Sequence, residues 1–131
     1  MHLYRQLTGE WVGPDNTVWG VGYSGKGESK NNPVDEDLLA KGPIPTGNYA
    51  IVGPPMNTMA HGPCVLRLIP DPMTREAIKA LGRDPDSFLI HGDSKEFPGD
   101  ASEGCIIMDR AIRERIWSVN ATDADLTVVA I

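Results

Sequence analysis

No apolar run in this chain approaches the roughly 20 residues that a membrane-spanning helix needs, and no membrane partner is expected. The first residues, Met-His-Leu-Tyr-Arg-Gln-Leu-Thr, hold no basic segment followed by an apolar one, so no Sec-type secretory signal is read there. Positive charge is scarce. Twelve Lys and Arg against eighteen Asp and Glu leave a net charge of −6. That is the opposite of the basic stripe by which a protein holds a phosphate backbone, and it argues against a nucleic-acid partner. Two cysteines and three histidines are present, but not at paired ligand spacing, so neither a metal site nor a cofactor is expected. No repeat, low-complexity tract or linker interrupts the 131 residues. They are expected to form a single domain over 1–131, a monomer, large enough to bury a core without staples.

Glycine and proline are plentiful, 14 and 11 respectively. They point to a loop-rich, mainly β fold with two short helices rather than a helical bundle. Alternation predicts a half-buried strand over Leu3 to Leu7. Glu10 to Gly13 and Thr17 to Tyr23 read as a hairpin around Gly13-Pro14-Asp15-Asn16, with Trp11, Val18 and Trp19 on the sheet face. Ser24 to Pro33 reads as a polar surface loop, and Val34 to Ala40 as a helical turn or two. Asn48 to Val52 is a strand closed by Gly53-Pro54-Pro55, and Met56 to Pro63 a loop. Cys64 to Ile69 is a central strand, stopped by Pro70-Asp71-Pro72. Thr74 is expected to cap a helix over Thr74 to Leu81 with Ala77, Ile78 and Leu81 inward. Asp109 is expected to cap a second, Arg110 to Val119. There Ala111, Ile112, Ile116 and Trp117 would pack inward and Arg113 and Arg115 would make a solvated face. Leu126 to Ile131 reads as the last strand.

The chemistry gathers between two apolar runs. Phe88-Leu-Ile90 ends on His91, and fourteen residues later Ser-x-Gly-Cys places Cys105 at the head of a second run, Cys105 to Met108. Cysteine and histidine are the minimum equipment for thiolate catalysis, in which the thiolate attacks a carbonyl and the imidazole takes and returns the proton. Gly92 lets the chain turn after His91. Gly104 removes a Cβ beside the nucleophile, and backbone N–H groups near Gly104 and Cys105 are candidate oxyanion donors. Ser102 is placed to hydrogen-bond the imidazole, the thiol or a substrate. Asp93 either orients His91 or caps backbone N–H groups of its turn. His61 lies in a loop, as a surface residue or a groove residue. Arg67 breaks an apolar run, either snorkelling to solvent or reaching a substrate. Cys64 reads as an inert buried thiol, with a disulfide to Cys105 as the alternative.

Ile-His-Gly-Asp-Ser…Ala-Ser-Glu-Gly-Cys-Ile-Ile-Met resembles the signature of the L,D-transpeptidase catalytic domain, the YkuD-like family. It is closest to a branch that includes L,D-transpeptidase effectors delivered by type VI secretion systems. Tyr23-Ser24-Gly25, Asn31-Asn32-Pro33 and Gly42-Pro43-Ile44-Pro45-x-Gly47-x-Tyr49 resemble that branch too, so the likeness runs from about residue 8 to about residue 116. One departure is Ile107, where most of the wider family has an arginine; the next arginine is Arg110. The resemblance implies a curved mixed sheet or partly open barrel. It implies Cys105 as nucleophile and His91 as base. Ser102 and Gly104 would assist them. Tyr23, Ser24, Gly92, Asp93, Glu103, Arg110, Arg67 and His61 would border the substrate. That substrate would be the peptidoglycan stem tetrapeptide, cut between diaminopimelate and D-alanine, with water, a D-amino acid or a second stem as acceptor. The implied setting is a toxin made in a bacterial cytoplasm and delivered to the periplasm of a target cell, with a secretion-system carrier and a cognate immunity protein as partners. A non-catalytic cell-wall-binding module and a cysteine amidase or peptidase acting on another wall bond are the alternatives.

Overall fold

The computed structural model describes all 131 residues. In chain order its strands are β1 (His2–Arg5), β2 (Glu10–Val12), β3 (Val18–Val21), β4 (Tyr23–Ser24), β5 (Gly47–Thr58), β6 (Gly62–Pro70), β7 (Leu89–His91), β8 (Ile106–Ile107) and β9 (Asp125–Val129). Two helices, α1 (Pro72–Ala80) and α2 (Arg110–Ser118), complete it. The two longest strands, β5 and β6, pair as an antiparallel hairpin. β9 adds antiparallel to the free edge of β5, and β1 adds parallel to β9. On the other side β7 adds antiparallel to β6, and β8 parallel to β7. The sheet order is β3-β2-β1-β9-β5-β6-β7-β8-β4. Its two end strands, β3 and β4, are separated in the chain by Gly22 alone. A nine-stranded mixed sheet therefore curls until its edges meet. This is the mainly β, partly open barrel with two helices that the sequence leads one to expect. Its interior holds Tyr4, Trp11, Tyr49, Ile51, Leu66, Leu68, Ile90, Ile106 and Leu126, with Ile78 of α1 and Ile116 of α2 packed on them.

Several elements differ from the sequence reading. Strand β1 buries His2 and Tyr4; past its end Gln6 is buried and Leu7 is turned outward. His2 and Gln6 find inward partners: Trp11 Nε1 donates to His2 Nδ1 (3.1 Å) and Gln6 Nε2 to the Ile44 carbonyl (2.8 Å). Val18 is exposed. The run from Thr17 to Tyr23 is two strands, because at Gly22 the chain leaves its β2 partner and joins β8. Strand β5 continues past Gly53-Pro54-Pro55 to Thr58, its ladder with β6 absorbing the prolines as register shifts between Val52 and Met56. Helix α1 starts earlier than expected. Asp71, not Thr74, accepts the N-terminal bond (Thr74 N–H, 2.8 Å), and Pro72 occupies the first turn, where its missing N–H costs nothing. Thr74 faces inward with Ile78, while Ala77 is exposed. Asp109 makes no side-chain cap on α2, and that helix buries Arg113 and Ile116 while Ala111 is exposed.

The seam between the sheet edges allows no side chain at Gly22. A Cβ there would stand 1.8 Å from the Ile107 carbonyl oxygen, a backbone atom that cannot swing aside. Gly22→Ala is expected to cost roughly 1–3 kcal/mol, the range of overpacked cores, and to lower the thermal midpoint by about 3–15 °C. Thermal denaturation followed by circular dichroism checks it.

Candidate active site

Parallel pairing sets the geometry. Ile90 stands opposite Ile106 and His91 opposite Ile107. Carrying that register one residue back puts Cys105 beside Leu89, two residues from His91 and on the same face of the sheet. Strand spacing and rise then place the two Cα atoms about 8 Å apart. Both side chains line a groove of about 1260 Å³. Its walls are three loops: the segment around Leu39, the β5–β6 turn with Met59 and His61, and the loop 93–101 with Phe97.

The thiol is protonated in the resting groove. Cys105 is 9% exposed, and its Sγ donates to the Ser87 carbonyl at 3.6 Å. Burial pushes its pKa up to about 11; the Leu89 amide works against that shift, the Glu103 carboxylate adds to it, and the charge of Arg83 opposes it. His91 is also buried, at 3% exposure. Its Nδ1 lies 2.8 Å from the Gly92 carbonyl. A carbonyl only accepts, so Nδ1 carries the proton and Nε2 is left with a free lone pair. Burial lowers the His91 pKa; the Gly92 contact works against this, while His61 and Arg113 reinforce it. The ring of His61 packs against it with centroids 4.4 Å apart. At neutral pH the pair is thus a thiol and a neutral imidazole rather than a preformed ion pair.

Ser102 does not touch the imidazole or the thiol. It is fully buried. Its hydroxyl accepts from Gly25 N–H (2.9 Å) and Gly104 N–H (3.1 Å) and donates to the Cys105 carbonyl (2.6 Å). Ser24, expected to border the substrate, is also fully buried. Its hydroxyl donates to the Gly104 carbonyl (3.1 Å) and accepts from Ile44 N–H (2.8 Å). Both serines fix the loop that carries Cys105. Because the Gly104 N–H is taken by Ser102, it is unavailable to an oxyanion. The Cys105 N–H, outside the ladders, has no acceptor in the protein. It is the better-placed oxyanion donor.

Asp93 caps its own loop rather than orienting His91. It accepts from Ser94 N–H, Gly99 N–H and the Tyr23 hydroxyl, the last at 2.6 Å. Burial opposes its ionisation, but these donors outweigh that and hold its carboxyl below the ordinary value. Tyr23 in turn accepts from Ala101 N–H (3.0 Å), tying β4 to the groove wall. Glu103 is exposed at the groove edge. Arg67 is exposed and outside the groove. Arg110 lines it, exposed and bridged to Glu114 at 2.9 Å. Cys64 is buried and unpaired.

Two arginines that sequence reasoning did not place here are built into the site. Arg83 is 6% exposed. Its Nη1 donates to the Glu36 and Pro43 carbonyls and its Nη2 to those of Gly42 and Glu103. Gly104, at φ +132°, leaves room for it, since a Cβ would stand 2.3 Å from Arg83 Nη2. Arg113, read as part of a solvated face, is 4% exposed. It binds the Met108, Pro63 and Cys64 carbonyls. Arg83 left no local signal, since its acceptors lie 20 to 47 residues away.

The Tlde1 domain model matches residues 20–130. That span runs from within β3 to beyond β9 and includes the whole groove. The chain belongs to the Tlde1 domain family. Tlde1 is a type VI secretion effector family, and its effectors are tied to peptidoglycan modification. The effector link read from the sequence motifs agrees with this membership. Comparison with curated proteins finds no match.

Two outcomes follow for the Tlde1 chain. Ser102→Ala strands the buried Gly25 and Gly104 N–H groups, and a loss of about 1–3 kcal/mol in denaturant unfolding is expected. Alkylation of Cys105 by iodoacetamide is expected to be slow at pH 7 and to rise towards pH 11, where the thiol ionises. Mass mapping of the labelled peptide checks this, and fast labelling at pH 7 would contradict a protonated resting thiol.

Proposed function

We propose that this Tlde1 protein is a cysteine acyl-transfer enzyme that releases D-alanine from the stem tetrapeptide of peptidoglycan. The observation that carries the reading is the placement of His91 at the end of β7 and Cys105 directly ahead of its parallel partner β8, both lining one groove. Family membership supplies the cell-wall setting. The resemblance around His91 and Cys105 supplies the bond.

Cys105 Sγ attacks the carbonyl joining the L-centre of diaminopimelate to D-alanine while its proton passes to His91 Nε2. The carbonyl oxygen gains the electron pair and is held by the Cys105 N–H. The C–N bond then breaks, and His91 returns the proton to the departing D-alanine amine. A thioester remains on Cys105. An acceptor, water or the amine of a D-amino acid, attacks it. His91 takes the acceptor's proton, the C–S bond breaks, and the thiol is reprotonated. Water gives trimming, and a D-amino acid gives exchange. Either one removes the donors for cross-linking, as suits an antibacterial effector. Such an effector calls for a cognate immunity protein in the producing cell.

Product analysis tests the reading. Disaccharide-tetrapeptide is incubated with the protein, with and without a non-natural D-amino acid, and analysed by mass spectrometry. Loss or replacement of D-alanine is expected, reduced by at least about 10³-fold in Cys105→Ala and His91→Ala. Cleavage of any other wall bond sinks the assignment in favour of a different cysteine hydrolase, and an untouched substrate favours a binding module. The pH profile of kcat/KM should rise through a pKa below 6.5, because the base must be neutral and burial lowers His91. It should then stay flat through pH 8. A fall between pH 7 and 9 would indicate a preformed thiolate–imidazolium pair instead.

A further inference from the structure

Of the five N–H donors of the buried Arg113 guanidinium, three bind carbonyls. Nε donates to Met108 (2.9 Å), and Nη1 donates to Pro63 and Cys64 (both 2.7 Å). Nη2 has no acceptor in the protein, and it is not among the polar atoms sealed from solvent without a partner. Arg113 lines the groove beside Gly92. A Cβ on Gly92 would stand 2.9 Å from Nη2, so the absence of a side chain there is what leaves the two N–H groups open. A charge this buried has a strong need for a counter-ion, and nothing in the chain provides one at Nη2. The other arginines of the site are not free in this way. Both terminal nitrogens of Arg83 are taken by carbonyls. Arg110 is exposed and paired to Glu114.

We propose that Arg113 Nη2, reached over Gly92, is a carboxylate subsite for the amino acid that leaves Cys105 and for the one that replaces it. This rests on the acyl-transfer reading. His91 delivers its proton to the leaving amine, and Gly92, which holds His91 Nδ1, is also the residue over Arg113. In an α-amino acid the carboxylate is one carbon from that amine, and Arg113, lining the same groove as His91, is the buried guanidinium there with an Nη2 left free to take it. Microscopic reversibility gives an incoming amino acid the same seat. The subsite therefore selects amines that carry a carboxylate on the same carbon, and it confines cleavage to a chain end.

The groups facing His91 are His61 from the β5–β6 turn, Arg113 from α2, Asp93 from the following loop and Cys105 ahead of β8. A carboxylate on Arg113 offsets the one fixed cation among them, and so makes His91 a stronger base when substrate is bound.

The test compares a tetrapeptide ending in free D-alanine with its C-terminal amide. For the wild type, kcat/KM is expected to favour the acid by about tenfold to hundredfold, the range for a hydrogen-bonded charge pair. Gly92→Ala, whose Cβ would stand against Nη2 and cover it, is expected to bring the ratio close to one, as is Arg113→Met if it folds. Equal rates for acid and amide in the wild type overturn the subsite. If neither peptide reacts, the acyl-transfer reading fails, and the subsite is judged by binding alone. In Cys105→Ala, N-acetyl-D-alanine should raise the His91 pKa in an NMR titration while N-acetyl-D-alaninamide should not. The same titration with both ligands overturns it.

Discussion

Two residue pairings, Ile90 with Ile106 and His91 with Ile107, hold the cysteine loop against the histidine strand. Strand β8 is only two residues long, too short to keep its register unaided, and a slip of one residue would turn Cys105 to the other face. The rest of the architecture compensates. Ser24 and Ser102 tie Gly104 and Cys105 to residues 25 and 44. Arg83 ties residue 103 to residues 36, 42 and 43. Arg113 ties residue 108 to the β5–β6 hairpin. β4 then covers the outer edge of β8. Each clamp is a buried polar group hydrogen-bonded to backbone groups of distant segments, and such networks fix one geometry because losing those partners is costly. The curled sheet supplies the frame that brings these distant acceptors together.

The same burial sets the chemistry. Desolvation favours the neutral form of both groups, holding the proton on Cys105 and keeping it off His91. It also fixes how these groups affect stability. The folded thiol binds its proton more tightly than the unfolded one, so its contribution is present below the ordinary thiol pKa and is lost as pH rises above it. The folded imidazole binds its proton less tightly, so its contribution is present above pH 6.5 and is lost as pH falls. Both favour the native state between about pH 6.5 and 8.5, a window that includes neutral conditions.

That Cys105 and His91 line one groove was readable because both residues sit at the ends of apolar runs, and short apolar runs between turns become buried strands. The curled mixed sheet was readable from glycine, proline and the motif resemblance. What stayed hidden depends on long-range contacts. Ser102 and Ser24 looked like site residues because they lie next to it in sequence, but their hydroxyls face backbone groups 77 to 80 residues away. Arg113 looked solvated on a charged helix, because its acceptors at Pro63 and Cys64 belong to another element. The start of α1 is hidden for a local reason. Pro70-Asp71-Pro72 reads as a strand stop, yet Asp-Pro is also a cap followed by a first-turn proline.

The central claim is that the acyl group passes through Cys105. Acid-quenched intact-protein mass spectrometry during turnover of a stem tetrapeptide tests it most directly, with the adduct mapped by digestion and its thioester identified by release with hydroxylamine. The account predicts a mass gain equal to the acyl portion of the substrate on the peptide containing Cys105, absent from Cys105→Ala. An adduct on another residue, or release of D-alanine with no labelled cysteine at any quench time, would contradict it.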